Sequence, residues 1–252
     1  MSLTDIQADR LFDSMLARVE AKLGREILNN FNELADLLKE VISTGGQLSG
    51  NVLILQNQEN LKKILEEAYR ESIVEGVIFA RRDLDLPEEE DDSMTETILL
   101  LLLLWIQDQS TNQAQLLTDT TVSLFSDIYE GARGIDIPPE EVLDTVVSQL
   151  RQRNRGRVRN IATSEAGEAL SRGQIEVGEV LNKRLLKSWR SQEDLRVRDS
   201  HSRANLRYRQ EPIPLNENFI VGSSSGPFPR SSQLSMEERN GCRCYLRFIR
   251  EN

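Results

Sequence analysis

The sequence predicts an α+β protein: a predominantly helical N-terminal part with a small C-terminal α/β domain containing a short antiparallel sheet. Three observations predict it. Apolar residues recur at three- and four-residue spacing through most of the first 170 positions. Composition is polar and aromatic-poor, with 29% charged residues and 5% aromatics, a profile that suits long helices with solvated faces better than a β-sandwich. Proline, glycine and serine then concentrate between positions 212 and 229, ahead of a final apolar segment.

The elements follow in order. Ile6, Leu11, Met15, Leu16, Val19 and Leu23, continued by Ile27, Phe31, Leu34, Leu37 and Leu38, fall at helical spacing, as one long or two consecutive amphipathic helices. Ser43-Thr44-Gly45-Gly46 ends that run. Val52-Leu53-Ile54-Leu55 reads as either strand or helix, and residues 60–82 read as helix with Leu61, Ile64, Leu65, Ala68, Ile73, Val77 and Ile78 inward. Leu86-Pro87 and the block Glu88-Glu89-Glu90-Asp91-Asp92 form a break, read as a solvated loop or as a docking site for a basic partner. Ser93-Met94-Thr95-Glu96 fits a capping box. The nine-residue apolar run from Ile98 to Ile106 follows. It is far short of the roughly 20 residues that cross a membrane, so a helix buried on nearly all sides is expected. A packed oligomer interface is the alternative. A helix over about 113–129 comes next, then a turn at Gly131 and Gly134, and Pro138-Pro139-Glu140-Glu141 opens another helix.

Charge is divided unevenly. Residues 1–150 carry 29 acidic and 11 basic side chains, whereas residues 151–252 carry 12 acidic and 20 basic. Two domains are therefore expected, an acidic helical one over 1–150 and a basic one over 151–252. The overall net charge of −10 disfavours nucleic-acid binding, but the basic second part restores it as an expectation. Arg151, Arg153, Arg155, Arg157 and Arg159 are its densest feature. Val158, Ile161, Ala162, Glu165, Ala166 and Ala169 continue a helical pattern through them, so a helix is expected, with Arg151, Arg155 and Arg159 on one face. Gly156 weakens it by about 1 kcal/mol relative to alanine. Clustered guanidinium groups suit phosphates or a carboxylate-rich protein surface. The plainer alternative is a solvated helix paired with the acidic first half. No aromatic residues interleave, so base stacking is not indicated.

The two cysteines, Cys242 and Cys244, are too close for an unstrained disulfide, which points to a reducing compartment. The opening Met1-Ser2-Leu3-Thr4-Asp5 has no basic segment leading into an apolar core, so no secretory signal is expected. In an extended segment both sulfurs face one side, and with the single histidine, His201, they make three candidate zinc ligands; Asp199 is the nearest candidate for a fourth. The competing reading makes the cysteines small core residues and has His201 bonded to a backbone carbonyl. Cys and His also invite a nucleophile–base reading, with Glu165 or Asp199 as acid or base. The chain nevertheless has no phosphate loop, no paired zinc-protease histidines and no nucleophile elbow, so no enzyme activity is expected.

One combination is more specific. Trp189 is followed by Arg196-Val197-Arg198-Asp199-Ser200-His201, a loop holding Pro212 and Pro214, and finally Asn240-Gly241-Cys242-Arg243-Cys244 entering an expected strand at about 243–249. This order resembles the Mu F-like family of bacteriophage minor head proteins, over roughly residues 150–250. Val158-Arg159-Asn160-Ile161-Ala162-Thr163-Ser164-Glu165 is similar to that family's helix carrying Ala, Thr and Glu. Three departures stand out: Gly241 separates Asn240 from Cys242, Ser164 separates Thr163 from Glu165, and Asn205-Leu206-Arg207 replaces a glycine after the histidine. The resemblance implies a virion protein inside the head near the portal vertex, present in the host cytoplasm during assembly. It implies binding to the portal protein and contact with packaged double-stranded DNA, with scaffold or major capsid protein as further expected partners; from the residues themselves, no membrane and no cofactor beyond a structural zinc are expected. It implies a role in head assembly and in DNA packaging, retention or ejection. The five arginines would be the DNA- or portal-binding residues. A multi-copy capsid or connector subunit, and a nucleotide-using transferase or toxin, are the rival readings.

Overall fold

A computed structural model describes residues 3–86, 93–132, 139–181 and 184–250. The chain is α+β. Helices α1 (Asp5–Ser43), α2 (Val52–Asp83), α3 (Ser93–Leu101), α4 (Leu103–Ala132) and α5 (Pro139–Leu181) come first. Strand β1 (Leu185–Arg190), α6 (Asp199–Gln210), β2 (Ile213–Pro214), β3 (Phe219–Val221), β4 (Ser224–Gly226), α7 (Met236–Arg239) and β5 (Tyr245–Arg250) follow. The run from Ile6 to Leu38 is a single helix, because no proline interrupts it and the burial of its apolar face outweighs the cost of its one glycine, Gly24. Gly45 at φ 74° supplies the left-handed residue that ends it. The ambiguous Val52-Leu53-Ile54-Leu55 is the first turn of α2, and the Asn51 side chain accepts a hydrogen bond from the Leu53 N–H there. Pro87, the acidic block at 88–92, Gly134 and Pro138 lie outside the described residues.

The leucine-rich segment corrects the expectation of burial on nearly all sides. Ile98, Leu102 and Ile106 are buried, at the four-residue spacing of one helical face, while Leu100, Leu101 and Leu104 are 72%, 61% and 73% exposed. A continuous apolar run carries no phase, so it could not announce which face would be covered.

The chain forms two compact units, each assembled from separated segments. Unit 1 comprises residues 1–21, 68–103 and 163–252; unit 2 comprises 22–67 and 104–162. The boundary expected between 150 and 151 falls inside α5, which runs unbroken across it. Charge regroups accordingly. Unit 1 holds 26 acidic and 20 basic residues and unit 2 holds 15 and 11, so both are net acidic.

In unit 2 the core joins α1, the start of α2, α4 and α5 through Leu34, Leu38, Ile54, Phe125, Val146 and Leu150, all buried. Asn30 and Asn57 cross-link α1 and α2 by donating to each other's backbone carbonyls at 3.1 and 3.3 Å.

In unit 1 α2 and α5 approach at backbone distance. A Cβ on Gly76 would stand 2.0 Å from the Leu170 carbonyl oxygen, and one on Gly173 would stand 2.2 Å from that of Ile73. The sheet runs β2-β1-β5, antiparallel throughout, with Lys187 opposite both Ile213 and Phe248. Phe12, Phe79 and Tyr245 pack as a ring cluster that ties α1 and α2 to β5. Carboxylates from the N-terminal segments neutralise the sheet's arginines. Asp83 accepts from Arg247 Nε at 2.6 Å and from the Phe248 N–H at 2.9 Å, and Asp5 pairs with Arg190, Arg209 and Arg247. The basic C-terminal sequence is thus built together with acidic N-terminal sequence.

Candidate functional site

The residues brought together most closely are His201, Cys242 and Cys244, all buried within unit 1. His201 is the third residue of α6, and its ring is fixed by Trp189 of β1, edge to face at 5.5 Å between centroids. The cysteines lie on the segment leading into β5. Gly241, at φ 62°, turns the chain immediately before them. The glycine that interrupts the family-like Asn-Cys pair therefore occupies a left-handed turn position.

His201 Nδ1 lies 3.3 Å from Cys244 Sγ and 3.6 Å from Cys242 Sγ, and the three ligand atoms all fall within 4.8 Å of one another. On the other side of the ring, Nε2 is 3.0 Å from Glu238 Oε2. Glu238 is itself placed: Ser200 Oγ donates to its Oε2 at 2.7 Å. Gly222, at φ 59°, also leaves room for it, since a Cβ there would meet Glu238 Oε1 at 2.1 Å. Below the cysteines, the buried Arg230 guanidinium donates from Nη1 to the Cys242 carbonyl at 2.8 Å and lies over the Phe12 ring. Gly167 makes way for it; a Cβ there would overlap the Arg230 side chain.

Compared with known proteins, the chain matches no family model, no curated protein and no solved structure at a significant level.

Electrostatics at the cluster run in opposite senses on the two sulfurs. Burial pushes the Cys242 thiol up, but hydrogen bonds from Cys244 and His201 and the charge of Arg230 outweigh it and hold Cys242 well below the ordinary thiol range. Burial and the neighbouring Cys242 push Cys244 well above it. Burial lowers His201, yet the bond to Cys242 and its charge leave the imidazole net raised.

His201 contacts two sulfurs and a carboxylate, whereas the core-residue reading had it bonded to a backbone carbonyl. Asp199 is not part of the group; it is exposed in the first turn of α6. Two helical positions separate it from His201, a rotation of about 200°, so the two side chains leave opposite faces. Glu238 is the carboxylate that reaches the histidine. No local pattern marks it, because 37 positions separate it from His201. Arg230 likewise had no signal, being a single arginine in a turn-rich stretch.

The arginine run is helical, as expected, and belongs to unit 2. Its members differ. Arg151 pairs with Asp36 of α1 at 2.7 Å. Arg157 is half-buried over Phe31 and donates to Asn154 and Thr121. Arg153, Arg155 and Arg159 are exposed. Glu165, weighed as an acid or base, accepts a hydrogen bond from Tyr69 at 2.5 Å, and Thr163 donates to Glu20. No helix among the described residues is long and apolar enough to cross a membrane.

Proposed function

We propose that this protein is a minor head protein of a tailed bacteriophage, held near the portal inside the head, and that it works by binding rather than by catalysis. One observation carries the reading. The residues on which the Mu F-like resemblance rests, Trp189, His201, Cys242 and Cys244, lie up to 55 positions apart and form one buried cluster. A chance scatter of motif fragments has no reason to converge, whereas a family signature that specifies a fold does. In this reading α6 and the β1–β5 pair, which that cluster joins, would be the docking body.

The portal is the primary partner in this reading. Both compact units are net acidic, so contact with packaged double-stranded DNA would be local and confined to the exposed Arg153, Arg155 and Arg159. Scaffold or major capsid protein is a further partner during assembly. The exposed Leu100, Leu101 and Leu104 favour a second reading, a structural subunit present in many copies, because large apolar side chains left in solvent so close together in sequence suit self-packing.

Quantitative mass spectrometry of purified particles and procapsids, with portal co-purification, tests both. A few copies per particle, recovered with the portal, are expected. Copy numbers approaching those of the shell protein would favour the structural subunit, and absence from both particles and procapsids would end the proposal.

A further inference from the structure

We propose that His201, Cys242 and Cys244 form a zinc site, with Nδ1 and the two Sγ atoms as its protein ligands. Such a site would stand whether or not the protein belongs to a phage head.

Zinc bonds of about 2.3 Å to sulfur and 2.0–2.1 Å to nitrogen, set at tetrahedral angles, put the nitrogen and sulfur ligand atoms about 3.6 Å apart. The two values found here are 3.3 and 3.6 Å. Without a metal, one Nδ1 nearly equidistant from two sulfurs is a hydrogen bond shared between them. The same spacing is what three ligands around one ion produce.

The tautomer agrees. Glu238 Oε2 sits 3.0 Å from Nε2, so an imidazole that gives up its Nδ1 proton to bind a metal keeps the other on Nε2, hydrogen-bonded to that carboxylate, and turns the Nδ1 lone pair to the sulfurs. A carboxylate behind a metal-bound histidine is the usual supporting arrangement, and Ser200 and Gly222 hold this one in position. The ligand chemistry selects the metal: two thiolates and an imidazole favour zinc over magnesium or calcium.

Room for the fourth ligand is present. A cavity of about 20 Å³ adjoins all three residues and is also bordered by Gln192, Val197, Gly241 and three arginines, Arg196, Arg198 and Arg243, whose charge the two thiolates would have to offset for a cation to bind. That volume accommodates about one water molecule. The site therefore takes three protein ligands and a water, and it joins α6 to the segment that leads into β5.

The test uses the full chain, purified without chelator. Elemental analysis is expected to find about one zinc per chain, falling to background in Cys242→Ser and Cys244→Ser. Cobalt substituted for zinc should give thiolate-to-metal charge-transfer bands with tetrahedral visible absorption. Glu238→Gln should keep the site and weaken zinc binding about 10- to 100-fold. If the cysteine variants fail to fold, wild-type protein stripped by chelator and reloaded decides the matter through stoichiometric zinc uptake. Wild-type protein that takes up no zinc on reloading would overturn the proposal, as would a cobalt spectrum lacking sulfur charge transfer. Either would leave a metal-free histidine–thiolate pair.

Discussion

At the scale of single residues, unit 1 invests in buried charge. Lys187 lies wholly enclosed in β1, donating to the Leu215 and Pro227 carbonyls at 2.8 and 2.7 Å with its ammonium over the Phe219 ring. Burial lowers its pKa to about 8. The folded pKa thus lies below the unfolded one, and between them the unfolded chain binds more protons. Stability from this group consequently rises with pH across that window. Going from about pH 7.5 to about pH 9.5 should add about 2 kcal/mol from Lys187. Thiols of the unfolded chain titrate in the same window, so the measurement is the difference between wild type and Lys187→Met in urea unfolding at the two pH values. Equal pH slopes in the two proteins would show that Lys187 does not carry the effect. Zinc binding is decided at the same scale, by the geometry of three side chains. His201 and the cysteine pair were legible as candidate ligands from residue type alone. Their carboxylate partner was not, since Asp199 is near in sequence and far in direction while Glu238 is the reverse.

At the scale of elements, glycines in α2 and α5 have opposite consequences. Gly173 meets the backbone of α2 and Gly76 meets that of α5, and in neither case can a carbonyl swing aside as a side chain could. Gly76→Ala and Gly173→Ala should each cost about 1–3 kcal/mol or more, read as a lower urea midpoint. A methyl group on Gly156 would meet nothing within 4 Å, so Gly156→Ala should raise stability by about 1 kcal/mol through helix propensity. A destabilised Gly156→Ala would mean that the open face of α5 is covered by something else. Helix existence was legible for α1, α2 and α5, because their apolar residues repeat in phase. The crossing of α2 and α5 was not, because a glycine in a helix looks alike whether it faces solvent or another backbone.

At the scale of the whole molecule, the question is how charge is displayed. The arginine run suggests a single functional feature, but Arg151 and Arg157 are engaged within unit 2. If DNA is contacted, Arg153→Gln, Arg155→Gln and Arg159→Gln together should lower the slope of log affinity against log salt by about 3, at roughly 0.9 per phosphate. Arg151→Gln should leave that slope nearly unchanged. Salt-titrated binding to duplex DNA measures both, and an unaltered slope in the triple variant would remove these arginines from DNA contact. By itself the sequence determined the fold class: long amphipathic helices, a late strand at about 243–249, and a histidine and two cysteines that are all metal-ligand types. Local periodicity and residue type suffice for that, because hydrogen bonds four residues apart and alternation of faces are properties of short stretches. Only the tertiary structure decided which segments share a unit, which face of the leucine run is covered, and which carboxylate stands behind His201. Those are contacts between residues tens to hundreds of positions apart, and no short-range pattern records them. Asp5 and Asp83 neutralising arginines of β1 and β5 is the clearest case: the charges are visible in the chain, and their pairing exists only once it is folded.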